Sequence, residues 1–506
     1  MNDQNGLFFE LTSQIVDLID KKQKIYLVGG AVRDHLLNRP IYDWDFVMEG
    51  NVIPFAKKTA NHFGGAFFLL DSERNIARVL INDRGLPLVF DFASLRGQSL
   101  VDDLSRRDFT VNAMAIDLAA PGTVIDYLNG KNALHERVLI PCSPQGFIDD
   151  PVRVLRTIRL SLGLGFSIAP QSTALIADAV SLIDKVSAER KRDELFKIFE
   201  TGRSREAILW MDGLGLFGRL FPELEKYKST SQSAPHIYTL WDHILNTIDY
   251  LDKIIQCLLS VQEIKIPGLS QAVSIEPILK FSPPISSILI DSFTSGRKRK
   301  ALLVFSALLH DCGKVFTQTV DDNGRIRFLG HEKKSALDAE RIAGEWVLSR
   351  QEVDYIGKVV KHHMRIHFLT SESGLPDNRS LHRYFRDVGE FGIDVALHSL
   401  ADSLATWGPE IPPEKWKKEL DIVTLLLETW FNNKDEVVYP PRLLSGEDII
   451  RILNIPPGPL VGRLILDLQE AQVAGQVLTG EDAVHYINTT YRQSVEGAGN
   501  DRISPH

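Results

Sequence analysis

The stretch YDWDFVMEG at 41–49 places Asp43 and Asp45 on either side of a tryptophan, at the start of an apolar run. In an extended strand alternate residues share a face, so both carboxylates point the same way. Two carboxylates that close repel each other and raise at least one pKa unless a cation lies between them. Mg²⁺ suits such a pair, because it takes one or two carboxylates and completes its shell with substrate phosphates and water. Just upstream, KIYLVGGAVRDHLL supplies the anion side. Gly29 and Gly30 let the backbone approach a ligand, the helix that follows presents free N–H groups, and Arg33 in its first turn adds a charge-assisted donor. A glycine turn or an Asp-x-Asp alone is commonly only a turn or a surface feature. In this order and spacing, with an apolar strand on each side, they describe a nucleoside triphosphate site.

A second set of chemistry-bearing residues lies later in the chain, in WDHILNTIDYL, SALLHDCGKVF, GHEKKSALDAERIA, VVKHHMRIHF and HSLADSLATW. Histidine and aspartate recur there on separate predicted helices, the way a helical bundle builds a metal site from facing side chains.

The elements that must position these groups differ along the chain. From 24 to about 140, short strands (KIYLV, DWDFVME, GAFFLL, ARVLI, PLVFDFA) alternate with helices (AVRDHLLN, IPFAKKTANHF), and DLSRRDFTVNAMAIDL reads as a helix running into another strand. After Pro151 strand signals mostly vanish, and PVRVLRTIRLSLGLGF opens a helix on proline. YKSTSQSAP reads as a linker, KFSPPISS as an interruption, EIPPEK as a boundary and YRQSVEGAGNDRISPH as a frayed tail. The architecture expected is α+β: a mixed-sheet head over 1–140, a helical neck over 141–228, a metal-binding helical bundle over 229–411 and a helical tail over 412–506.

The chain has 506 residues, a formal net charge of −9 and a pI near 5.9. That balance argues against non-specific coating of nucleic acid, which draws its affinity from lysine and arginine on phosphates. The short basic stretches LSRRDF, VRVLRTIR and GRKRKA leave room for a local groove. Cys142, Cys257 and Cys312 lie far apart and match no zinc or disulfide framework. No signal-peptide pattern opens the sequence, and no apolar run approaches the roughly 20 residues that span a bilayer. A reduced, cytoplasmic protein with no membrane partner is expected.

LVGGAVRDHLL…YDWDF resembles the first motif of the tRNA nucleotidyltransferase (CCA-adding) and bacterial poly(A) polymerase family, in its bacterial-type class II. DLSRRDFTVNAMA is similar to that family's second motif, VIDYLNGKNAL to the third, DDPVRVLRTIRL to the fourth and SAERKRDELFKIF to the fifth, in the family's order. The resemblance implies that Asp43 and Asp45 ligate two Mg²⁺ ions, with Asp91 of VFDFASLRG as the third acidic residue. It implies that Arg106, Arg107, Asp108 and Asn112 hold ribose and triphosphate, and that Asp150 and Arg153 read the incoming base. Arg156 joins the nucleotide-binding set with Gly29, Gly30 and Arg33, although a solvated basic stripe would also account for Arg156 and Arg159. Asp149 stands where the family often has glutamate. The implied activity is addition of C and/or A to a tRNA 3′ end from CTP and ATP, with release of pyrophosphate. Only FASLRGQSLVDDLS separates Asp91 from Arg106, a shortness associated in this family with partial CCA addition, so C-only, A-only and complete addition stay open. A poly(A) polymerase, or a phosphohydrolase whose head only binds RNA, are the alternatives.

The later histidine and aspartate set resembles an HD-type phosphohydrolase domain. His243, His310, Asp311 and Asp402 match its basic metal set, and His331 and His362 the positions that extend it, with spacing alone leaving His362 and His363 open. A divalent transition metal or Mg²⁺ is the implied cofactor, and a metal-bound water attacking a phosphate ester the implied chemistry.

Overall fold

The computed structural model describes residues 4–20, 23–120, 122–262, 273–369 and 374–500. The chain divides into two compact units, one of 1–194 with 210–219, the other of 195–209 with 220–506.

The first unit is built on a seven-stranded sheet in the order β3-β4-β5-β2-β1-β6-β7. Its strands are β1 (Ile25–Val28), β2 (Asp43–Met48), β3 (Ala66–Asp71), β4 (Ile76–Asp83), β5 (Leu86–Ser94), β6 (Ala115–Asp117) and β7 (Val124–Ile125). β2 pairs with β5 in parallel and the other neighbours pair antiparallel, which makes the sheet mixed. β1 sits between β2 and β6 and is buried along its whole length, as its unbroken apolar sequence IYLV requires. On β2 and β5 the side chains alternate between the two faces of the sheet. Trp44, Phe46, Phe90 and Phe92 interlock on one face, with ring centroids 5.0–6.4 Å apart for the contacting pairs, and leave the aspartates on the other. Of DLSRRDF only the first three residues are helical, at the end of the helix Leu100–Ser105, and a short 3₁₀ turn at Thr110–Asn112 leads into β6. The helix that opens at Arg153, two residues after Pro151, ends at Leu164 where Gly165 takes the left-handed conformation.

Among the described residues the second unit is helical apart from a small hairpin, Gln318–Val320 with Ile326–Phe328, that the sequence pattern did not reveal. Its core is formed by the helices Leu240–Ser260, Arg299–Leu309, His331–Glu345, Arg350–His362 and Gly392–Trp407. Thr239 caps the first, accepting from the Asp242 N–H, and Ser349 with Glu352 closes a capping box on the fourth. Inside the bundle Arg299 donates to Asp394, and the Tyr355 hydroxyl donates to Asp394 at 2.9 Å, so the buried charges are paired and hydrogen-bonded.

Two segments differ from expectation. YKSTSQSAP is not a loose linker: Pro222–Ser229 forms a 3₁₀ turn, and Thr230 is buried, donating to the Lys226 carbonyl at 2.8 Å. The prolines of KFSPPISS lie in the first turn of the helix Ser282–Ile290, where a missing N–H costs nothing. Pro413 likewise begins the helix Pro413–Asn432, whose Glu419 accepts from Ser399 at 2.8 Å. The tail is helical from Gly480 to Asn500, and 501–506 lie outside the described residues.

Candidate active site and candidate metal centre

In the head, strand register gathers the acidic residues. Asp45 is opposite Val28 on β1, immediately before the glycine turn, and opposite Asp91 on β5. Asp43 precedes it by one alternation on the same face. Burial pushes the Asp45 carboxyl above its ordinary range; Arg107 draws it down, while Asp91 and Asp43 push it higher. Gly29 has φ +75, and a Cβ there would stand 3.0 Å from Arg107 Nη1 and 3.1 Å from Asp45 Oδ2. The glycine thus keeps open the space between the turn, the guanidinium and the carboxylate.

Asp91 is paired across the sheet. Arg78, its cross-strand partner on β4, donates to both its oxygens at 2.8 Å. Sequence reasoning missed Arg78, because only the β4–β5 register brings it there.

The arginines form a wall beside these carboxylates. Arg107 donates to the buried Asp103 at 3.0 and 3.1 Å. Arg33 donates to Asp34 and, through Nη1, to Asn112 Oδ1 at 2.7 Å. Asn112 donates to Asp108 at 3.1 Å, and Arg156 Nε lies 2.5 Å from Asp108. Burial alone would raise the Asp108 carboxyl; Arg156, Asn112 and the Phe109 N–H more than offset that and hold it below its ordinary range. Arg153 donates to the carbonyls of Arg107 and Arg106 at 3.0 and 2.7 Å. Asp150 pairs with Arg190 through Oδ2 at 2.9 Å, while its Oδ1 is buried with no hydrogen-bond partner. Arg159, for which a solvated stripe would also have accounted, is engaged with Glu194 at 2.6 Å.

The second centre is tighter. Among the described residues two groups of histidine and aspartate have their ligand atoms within 4.8 Å of one another: His243 with His310 and Asp311, and Asp311 with His331 and His363. Asp311 belongs to both. Asp402 adjoins the first group, its Oδ1 3.0 Å from His243 Nε2 and 3.7 Å from His310 Nε2. His310, His331 and His363 bond through Nδ1 to the carbonyls of Ala307, Phe328 and Val360 at 2.8, 2.7 and 2.6 Å. A carbonyl can only accept, so Nδ1 carries the proton and the Nε2 lone pair is left for a metal. All three Nε2 atoms are buried without a hydrogen-bond partner and converge on the Asp311 carboxylate, at 3.2 Å from His310, 3.3 Å from His331 and 3.7 Å from His363. Orphaned acceptors arranged in this way fit divalent metal ions.

His363, rather than the expected His362, belongs to this centre. Neighbouring residues at a helix end differ by about 100° in direction, so the two cannot both face inward. His363 is buried, whereas His362 is half-buried and joins neither group.

Other residues here escaped sequence reasoning. Lys314 reaches Asp311 Oδ2 at 2.6 Å and donates to Gln232 at 2.8 Å, and His236 lies 3.5 Å from the same ammonium, all brought in by the segment read as a linker. His367 faces Asp402 Oδ2 at 3.5 Å and Glu419 at 3.7 Å. Burial opposes charge on His310, yet Asp311 and Asp402 raise its pKa to about 10 in the metal-free site. Despite burial, Lys314 and His310 hold Asp311 well below its ordinary range. Gly313 of HDCGK is packed so closely that a Cβ would stand 2.6 Å from the His331 carbonyl, which explains glycine there. Burial and then Asp338 push the Cys312 thiol up to about 12, so it is no nucleophile at neutral pH.

A mixed sheet bearing aligned aspartates beside a glycine turn and an arginine wall defines a nucleotidyltransferase head. Residues 25–140 match the family model described as Poly A polymerase head domain, 165–228 the probable RNA- and SrmB-binding site of polymerase A, and 282–407 the HD domain. The chain belongs to the family of class II tRNA nucleotidyltransferases and bacterial poly(A) polymerases that carry an HD domain. It is 29% identical over 468 residues to the CC-adding tRNA nucleotidyltransferase of Thermus thermophilus, covering 91% of this chain and 92% of that one. It is also 29% identical over 471 residues to the A-adding tRNA nucleotidyltransferase of Deinococcus radiodurans, covering 91% and 94%. In fold it resembles the Bacillus stearothermophilus CCA-adding enzyme solved with CTP, with a TM-score of 0.57, 20% identity, and 98% and 100% of the two chains covered. Nucleotidyltransferase and HD domains generally use divalent metals. No helix among the described residues is long and apolar enough to cross a membrane.

Proposed function

We propose that this protein is a metal-dependent tRNA nucleotidyltransferase that adds C and/or A residues to the tRNA 3′ end from CTP or ATP, in the cytoplasm. The observation that carries the reading is the register that sets Asp45 opposite Asp91 and beside the Gly29 turn. Asp43 and Asp45 would hold Mg²⁺, and a half-buried carboxylate pushed up by desolvation and then by its acidic neighbours is the state that a cation relieves. Mg²⁺ bound there supplies activation of the RNA 3′-hydroxyl and stabilisation of charge on the α-phosphate as pyrophosphate leaves. Arg33 and Arg107 face the triphosphate from beside the glycine turn. Asn112 and Asp108, locked between Arg33 and Arg156, offer the ribose fixed hydrogen-bonding groups.

Asp150 carries the base-reading role. Its unpartnered Oδ1 is an acceptor for an exocyclic amino group, which cytosine and adenine both have and uracil lacks. Arg153 spans from Asp150, 3.9 Å away, to the carbonyls of Arg106 and Arg107, and so positions the base site against the triphosphate site. Arg106 contributes its carbonyl to that bracket.

The helical bundle supports a second activity, metal-dependent hydrolysis of a phosphate ester, carried by the two donor groups that share Asp311. Imidazole-rich donor sets favour a divalent transition metal over Mg²⁺. Extension of tRNA transcripts ending before CCA, after C and after CC, each with CTP, ATP or both, tests the first activity. Incorporation limited to the CCA positions is expected; long A tails would make the protein a poly(A) polymerase. Hydrolysis of a nucleoside phosphate that depends on added metal and is lost in His310→Ala tests the second.

A further inference from the structure

His398 lies on the helix Gly392–Trp407, one turn before Asp402, so both side chains leave the same helix face. It is fully buried, and neither ring nitrogen has a hydrogen-bond partner. Its ring centroid is 4.8 Å from that of His310 and 6.0 Å from that of His363. Those two histidines belong to different metal groups, so His398 stands between the two groups rather than within either.

Its environment also differs from that of three of the four ligand histidines; the fourth, His243, is likewise untied at Nδ1 but has Asp402 Oδ1 3.0 Å from its Nε2. His310, His331 and His363 are each tied through Nδ1 to a carbonyl three residues back, which fixes the ring for ligation. His398 has no such tie. A buried imidazole with both nitrogens unsatisfied is costly, and an apolar residue of similar size would fill the same space without that cost. Retaining histidine calls for a partner that arrives from outside the fold. A neutral imidazole carries one N–H, and the anion that would lie across two neighbouring cations is a phosphoryl group.

We infer that His398 is a substrate-facing residue of the helical bundle's metal centre, donating a hydrogen bond to an oxygen of the phosphoryl group held between the two metal groups. The inference rests on the metal reading above and adds a contact that the donor sets do not contain.

The test uses the full-length protein, stripped of metal and reloaded with Mn²⁺, with inorganic phosphate as the probe. Metal content and phosphate affinity are measured by elemental analysis and calorimetry for wild type, His398→Leu and His398→Gln. His398→Leu should take up as much Mn²⁺ as wild type and, metal-free, should melt no lower, because a polar group without a partner has gone. Its phosphate affinity should fall about tenfold or more, the worth of one hydrogen bond to a charged group. His398→Gln, which keeps an amide donor, should recover most of that loss. Should the leucine variant fold poorly, His398→Ala in its place completes the comparison with glutamine. Unchanged phosphate affinity in the leucine or alanine variant would overturn the inference, as would loss of bound Mn²⁺, which would make His398 a ligand. A wild-type protein that takes up no Mn²⁺ would overturn the metal reading itself, a result distinguishable from either.

Discussion

In the head, Asp45 is half-buried with its carboxyl pushed above the ordinary range, first by desolvation and further by Asp91 and Asp43, against the pull of Arg107. In the helical unit, Asp311 is more deeply buried yet held well below that range, because Lys314, His310 and His243 surround it. The two acidic centres therefore solve charge burial in opposite ways. The head leaves a carboxylate under-compensated and waits for a cation that arrives with the nucleotide. The bundle compensates its carboxylate internally, with a lysine and a proton on His310, and must release that proton to take a metal. A site that works on a transient metal–nucleotide complex gains from being incomplete without it, and one that keeps a resident metal gains from a preformed cage.

Substitution should separate the two centres most sharply. Asp45→Asn should lower nucleotide addition by about a thousandfold or more, since several kcal/mol of charge stabilisation are lost. In Mg²⁺-free buffer the same variant should melt no lower than wild type, because an ill-placed negative charge has been removed. Asp311→Asn should do the reverse. Addition should stay within about twofold, while the metal-free melting temperature drops as Lys314 and His310 lose their buried counter-charge. Single-nucleotide extension gels and thermal melts of both variants read the contrast.

Next in size is the histidine pair. His363→Asn should lose one of two bound metals by elemental analysis, and His362→Asn neither. A smaller effect is expected at Arg78, which draws Asp91 aside. Arg78→Met should lower the Mg²⁺ concentration needed for half-maximal addition by about threefold, a modest electrostatic effect. A rise instead would mean that Arg78 holds Asp91 in its working position.

The smallest effects lie in pH dependence, where the two centres should again part. His310, raised to about 10, contributes stability that is complete below its ordinary value of 6.5 and is lost as pH rises toward 10. Metal-free protein should therefore lose melting temperature across that window, and metal affinity should climb as the proton leaves. Asp45, raised from 3.8, is destabilising once ionised, so its effect appears as stability lost while pH rises from 3.8 to its raised value. Melts with and without metal, in wild type and Asp45→Asn, resolve the two windows.

Much of this was legible in the chain because it is local. Asp43 and Asp45 share a strand, Gly29 and Arg33 share a turn and its helix, and His310 with Asp311 are neighbours. What could not be read depends on long-range packing. The pairing of β4 with β5 sets Arg78 on Asp91, and no local pattern encodes it. The rotation at the end of the Arg350–His362 helix selects His363, and the doublet reads the same either way. Gln232 and His236 reach Lys314 because a Ser-rich segment, whose composition suggests a linker, is packed in place by Tyr227 and Thr230. His398 looks like a core residue of an apolar helix until the rings around it are seen.

The central claim is that the head transfers nucleotides to a tRNA 3′ end through Asp43 and Asp45. The most direct measurement is extension of a tRNA transcript lacking its CCA end, with CTP and ATP, in parallel for wild type, Asp45→Asn and Asp311→Asn. Mg²⁺-dependent addition of no more than three nucleotides is expected from wild type and Asp311→Asn, and none from Asp45→Asn. Addition that survives Asp45→Asn, or no addition to this or to a CC-ended transcript by folded wild type, would contradict the central claim.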